Sequence, residues 1–143
     1  MFAEYDYSQA PLIQVTFGKS IQNEEDVNDF LKKWLELYAI KQNFIFLFDT
    51  RNMDHPPFKY AMRIALFMKQ LRKQPIHYLQ KSMILVNSDF IRRILDFIFM
   101  IQPPIAPVIT WTTDEIDKDK IIQVFNTTTK QNLKNKMDYV DPS

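Results

Sequence analysis

Residues 44–58 read FIFLFDTRNMDHPPF, and the fold follows from how this stretch divides. Phe44 to Phe48 are five apolar residues without alternation. A strand dry on both faces reads this way, and such strands lie in the middle of parallel sheets. Asp49-Thr50-Arg51-Asn52 ends the run abruptly, and His55-Pro56-Pro57 leads into a helical pattern. The prolines fit a first helical turn, where a missing amide costs nothing. Asp49 therefore ends a buried strand, the place where open α/β sheets present ligand-contacting residues.

Upstream, Ile13, Val15 and Phe17 alternate with Gln14 and Thr16, which predicts a strand closed by Gly18. Asn23 followed by Glu24, Glu25 and Asp26 predicts a helix start, with a capping oxygen and negative charge beside the positive end of the dipole. Val27, Phe30, Leu31, Trp34, Leu35 and Tyr38 recur as one buried helical face. Met1 to Ala10 show no clear period and are left between an edge strand and irregular chain.

Downstream, Tyr60, Ala61, Ile64, Phe67, Met68 and Leu71 predict the buried face of a second helix, and Met83 to Val86 a second all-apolar strand. Asn87, Ser88 and Asp89 offer caps for a third helix. Its last turns, Phe97 to Ile101, are apolar almost all round, more than one buried face requires, and are either deep core or an interaction patch. Val108 to Trp111 reads as a further strand, and Thr113 is expected to cap a final helix through Asp114 and Glu115. The expectation is one α/β domain over residues 1–126: a single mixed, mostly parallel sheet of four to five strands with about four helices. Residues 127–143 are expected to be a polar tail, either a fraying helix or disordered.

Composition narrows the function. A net charge of +1 with 24% charged residues excludes a strongly basic nucleic-acid binder and an acidic disordered protein. The absence of cysteine excludes disulfides and thiolate chemistry and fits a reducing compartment. The opening MFAEYDYSQA carries acids where a signal peptide carries positive charge, and no apolar run approaches the roughly 20 residues of a membrane span. The expected location is intracellular and cytoplasmic. Gly18 is the single glycine, so the glycine-rich loops that cradle phosphates are missing.

Asp49 has two readings, a ligand contact or a cap on the amides of Thr50 to Asn52, of which the cap is favoured. Arg51 is either a ligand-facing cation or the partner of Asp54. His55 beside Asp54 has the makings of a general base, but no serine or threonine is placed as its nucleophile, and the histidine spacing matches no metal motif. No catalytic, metal or cofactor role is therefore assigned. The run of Arg51, Lys59, Arg63, Lys69, Arg72, Lys73, Lys81, Arg92 and Arg93 contains few acids, and forms either a solvated face or a basic face for an anionic group, membrane surface or acidic partner.

The order of elements resembles the STAS/SpoIIAA-like fold and the related CRAL-TRIO lipid-binding fold, over roughly Leu12 to Phe125. FIFLFDTRNM resembles the strand and loop before the functional helix in both groups, and residues 77–104, HYLQKSMILVNSDFIRRILDFIFMIQPP, resemble the strand, helix and proline turn of CRAL-TRIO domains. Where STAS antagonists carry a phosphorylatable serine after an aspartate, this chain has His55 after Asp54, then Pro56 and Pro57 in place of small residues. The serine switch is absent, and the helical N-terminal extension of lipid carriers has no counterpart. The resemblance implies a non-enzymatic module acting by protein association or as a homodimer. Its alternative is a small binder of a lipid or other apolar anionic ligand. The expected contacts are Asp49, Arg51, Asp54, His55, Lys59, Arg63, Arg92, Arg93, Phe97 and Met100. A membrane surface is a second possible partner, and nucleic acid is disfavoured for want of exposed stacking aromatics.

Overall fold

A computed structural model of the chain describes residues 2–142; Met1 and Ser143, the outermost residues of the unassigned opening and of the expected tail, lie outside them. The elements run β1 (Ala3–Gln9), β2 (Leu12–Phe17), α1 (Glu24–Ala39), β3 (Phe44–Asp49), α2 (Phe58–Leu71), β4 (Leu79–Val86), α3 (Asp89–Ile101), β5 (Val108–Thr112), α4 (Lys118–Thr127) and β6 (Met137–Val140). They make one six-stranded sheet in the order β1-β2-β3-β4-β5-β6. The four central strands are parallel, and an antiparallel strand closes each side. The α/β fold with its mixed, mostly parallel sheet agrees with the sequence reading; the strand count does not, because β1 and β6 add two edges.

The parallel strands advance one position at a time, so right-handed crossovers carry α1, α2 and α3 to the same face of the sheet. Phe44, Phe46 and Phe48 of β3 meet those helices in the larger core, together with Ile13, Val15 and Phe17 of β2 and Ile84 and Val86 of β4. Leu47 points the other way, to a smaller core where Met83, Leu85 and Ile109 pack against Ile121 and Phe125 of α4. The non-alternating run FIFLF is thus apolar at each position because both of its faces are covered. Aromatic rings dominate the larger core: Phe46 lies 4.5 Å from Phe48 and 5.3 Å from Trp34 between ring centroids.

Local signals explain most element ends. Asn23 caps α1, its side chain accepting from the Asp26 amide, and Ser88 caps α3 by accepting from the Ile91 amide. The chain leaves α1 through Lys41 with φ 59°, a left-handed conformation more often given to glycine. Other expectations need correction. In α1 Leu37 is buried and Leu35 is exposed, since the buried stripe centres one residue further round than expected. Pro56 and Pro57 precede α2, with Pro57 at its cap position, and are not in its first turn. Thr113 caps only a turn, its hydroxyl accepting from the Glu115 amide, while Asp117 caps α4 through the amides of Asp119 and Lys120. Residues 137–140 of the expected tail form β6, which pairs with β5 and buries Met137.

Candidate functional site

The carboxyl ends of the parallel strands bring the loops after β3, β4 and β5 together, and Arg51 ties them. Its Nε and Nη2 each lie 3.0 Å from the two Asp49 carboxylate oxygens. Its Nη1 donates to the carbonyls of Thr113, at 3.4 Å, and Glu115. Asp49 Oδ1 also accepts the Arg51 amide at 3.1 Å, and the Lys118 ammonium stands 3.9 Å from Oδ2. Asn87 donates to the Arg51 carbonyl at 3.1 Å, and the Thr50 hydroxyl to the Leu85 carbonyl at 2.7 Å. Burial pushes the Asp49 carboxyl up, but hydrogen bonds from Arg51 and the charges of Arg51 and Lys118 outweigh it and hold the group below the usual carboxylate range. Both side chains are mostly enclosed, at 15% and 13% exposure for Asp49 and Arg51.

The geometry joins the two readings of Asp49 and Arg51 in one clasp. Asp49 caps the loop, and Arg51 pairs with Asp49 and not with Asp54. Asp54 and His55 lie outside the clasp, exposed and 3.4 Å apart, with the His55 ring edge-on to Phe90 at 4.4 Å between centroids. His77 serves packing: its Nε2 lies 3.0 Å from the Arg72 carbonyl and its Nδ1 lies 3.3 Å from the Tyr38 hydroxyl. A carbonyl only accepts, so Nε2 is the donor in its contact with Arg72. Among the described residues, no group of three or more histidine, aspartate or glutamate side chains is placed to hold a metal ion.

The cations read as either a solvated or a basic face are dispersed. Lys59 lies 3.8 Å from Glu24, Arg63 donates to Asn28 at 2.6 Å, and Arg92 pairs with Asp138 at 2.5 Å. Lys81 projects to the opposite side of the sheet, 4.8 Å above the Phe125 ring. Arg93 is exposed on α3. These cations do not converge on one anionic group.

What α2 and α3 share is apolar. Phe58, Met62 and Leu66 are 51%, 40% and 50% exposed and recur every four residues, one ridge along the outside of α2. The Phe58 ring meets Phe97 of α3 at 4.3 Å, and Met100, 75% exposed, continues the apolar surface one turn further along α3. Phe97 and Met100 were expected contacts; the α2 ridge was not. Its signal was the presence of Met62 and Leu66 off the buried stripe, which makes α2 apolar on two faces.

A largely apolar cavity of about 130 Å³, partly open to the surface, lies between the sheet and α1, α2 and α3, with Phe30, Trp34, Phe48, Tyr60 and Ile94 among its walls. No helix of the described residues is long and apolar enough to cross a membrane. Comparison of the chain with protein-family models, with curated proteins and with solved structures gives no significant match.

Proposed function

We propose that this chain is a non-enzymatic, STAS/SpoIIAA-like binding module that works by protein association through the outer face of α2 and the adjoining edge of α3. The observation that carries this reading is the exposed ridge Phe58, Met62 and Leu66, continued by Phe97 and Met100. An apolar surface of this kind is exposed to water at a cost, and in soluble proteins it marks an interaction site. α2 carries Lys59, Arg63 and Lys69 and no acid, so the fitting partner presents apolar side chains rimmed by carboxylates. The polar residues of the strand ends favour binding over catalysis, because Asp49 and Arg51 direct their polar atoms at each other and at loop backbone. On the STAS pattern His55 stands at the switch position, three residues before the start of α2.

Size-exclusion chromatography with light scattering, together with capture of the partner by the wild-type chain, tests the reading. The double variant Met62→Asp, Leu66→Asp is expected to keep its circular dichroism and to weaken association by roughly a hundredfold, since each side chain contributes about 1.5 kcal/mol or more when buried. A wild-type protein that stays monomeric at high concentration and holds no partner through this face overturns it. Anionic vesicles that bind the wild type, but not the variant, would transfer the same face to a membrane surface.

A second reading, a binder of an apolar small molecule, is favoured by the partly open cavity beneath α1, α2 and α3. An engineered apolar cavity of about 150 Å³ takes up benzene, so a cavity of about 130 Å³ suits a single ring far better than a long acyl chain.

A further inference from the structure

We infer that Met62 and Met100 are a site of reversible oxidation by hydrogen peroxide, or another two-electron oxygen donor, and that their oxidation switches off the apolar face of α2 and α3. The switch rests on the association reading above and adds its regulation. The burial of each methionine singles out this pair. Met68 is buried in the larger core and Met83 and Met137 in the smaller one, while Met53 is half-buried. Among the described residues that leaves Met62, on α2, and Met100, on α3, as the exposed methionines, and both belong to the face that Phe58, Leu66 and Phe97 complete. The chain has no cysteine, so no thiol competes for the oxidant.

In the oxidation the sulfur lone pair takes one peroxide oxygen: the S–O bond forms, the O–O bond breaks, and the other oxygen leaves as water with both protons. Sulfur loses two electrons and the peroxide gains them. A flexible apolar side chain thereby becomes a polar sulfoxide. At a buried position this change disrupts the core; at Met62 and Met100 it falls on the outer face and spares the interior. Met62 stands between Phe58 and Leu66 in the ridge, so its sulfoxide sets a hydrated oxygen in the middle of the surface that a partner would cover. Phe58 and Leu66 carry no sulfur and keep their apolar character. Methionine sulfoxide reductases, one for each sulfoxide epimer, return the thioether, the oxygen leaving as water while a dithiol becomes a disulfide.

Hydrogen peroxide in small excess, applied to the full chain and followed by peptide mass spectrometry, tests the switch. Met100, at 75% exposed, and then Met62, at 40%, are expected to convert before Met53, Met68, Met83 and Met137, with circular dichroism unchanged. The doubly oxidised protein is expected to be held less on a phenyl column and to associate roughly tenfold more weakly by light scattering and partner capture. The two reductases are expected to restore both properties. Met62→Leu with Met100→Leu, which keeps the apolar volume and removes the sulfur, is expected to associate like the wild type and to be insensitive to peroxide. Oxidised wild-type protein that associates as before overturns the switch and leaves the ridge reading standing. Equal loss in the leucine variant, or conversion of the buried methionines alongside the exposed pair, overturns the switch by placing the damage elsewhere. A wild type that does not associate even before oxidation removes the ridge reading itself, and the switch with it.

Discussion

Phe46→Ala is expected to lower the stability of the fold by about 4 kcal/mol and its melting temperature by roughly 12 °C. Phe46 is completely buried at the centre of the middle strands, and its ring touches those of Phe44, Phe48, Trp34 and Tyr5 at centroid distances of 5.1, 4.5, 5.3 and 6.4 Å. Truncation removes the transfer energy of the ring and the edge-to-face contacts, each worth about 1 kcal/mol. It also opens a cavity that neighbours anchored on the sheet and on α1 are too rigid to refill. Urea denaturation monitored by circular dichroism measures the loss. A value below about 1.5 kcal/mol would mean that the site collapses and that the aromatic stack is not the mechanical centre of the core.

Arg51→Met is expected to follow closely, with a loss of about 3 kcal/mol at neutral pH. Removing the guanidinium leaves the Asp49 carboxylate largely enclosed, with only Lys118 at 3.9 Å as a counter-charge, and frees the carbonyls of Thr113 and Glu115. The pH dependence identifies the cause. In the wild type the Asp49 carboxyl is held below its ordinary range, so its stabilising contribution is present above the unfolded value of about 3.9 and is lost as pH falls through the lowered folded value. In Arg51→Met burial is less opposed and the carboxyl rises, so the charged form becomes the liability and acid relieves it. The difference in stability between the two proteins should therefore shrink from pH 7 toward pH 3. A difference that is independent of pH would assign the loss to packing of the Arg51 stem alone. Asp49→Asn, which removes the charge that needs compensation, is expected to lose less than Arg51→Met.

The parts of this architecture visible in the sequence were those with local causes. Phe44 to Phe48 announced a strand covered on both sides, and Asn23 and Ser88 marked helix starts, because their capping oxygens reach amides only three residues away. β1 was hidden because its aromatic and polar residues serve an edge: Tyr5 packs on Phe30 of α1 and donates to that residue's carbonyl at 2.7 Å, a contact with a helix twenty-five positions away. β6 was hidden by brevity and polarity, since four residues on an edge need bury little more than Met137. At the candidate site, Asp49 and Arg51 stood out, yet their pairing with each other and with carbonyls more than sixty positions away depended on the approach of β3 and β5. The α2 ridge was obscured for a different reason. The reading of α2 named one buried stripe, which holds the buried Met68, and gave no role to Met62 and Leu66 off it, which the structure leaves exposed.

The strictly sequential strand order bears on how the chain folds. Each strand pairs with the strand next to it along the chain, so no strand has to slip between two that are already joined. Closing each new pair requires only one intervening segment to be gathered in, and the entropy of loop closure is met in small successive steps. A chain emerging from the ribosome can therefore lay down β1 through β5 in the order of synthesis, with each crossover helix covering the strand just added. β6 arrives last, on the edge left open by β5.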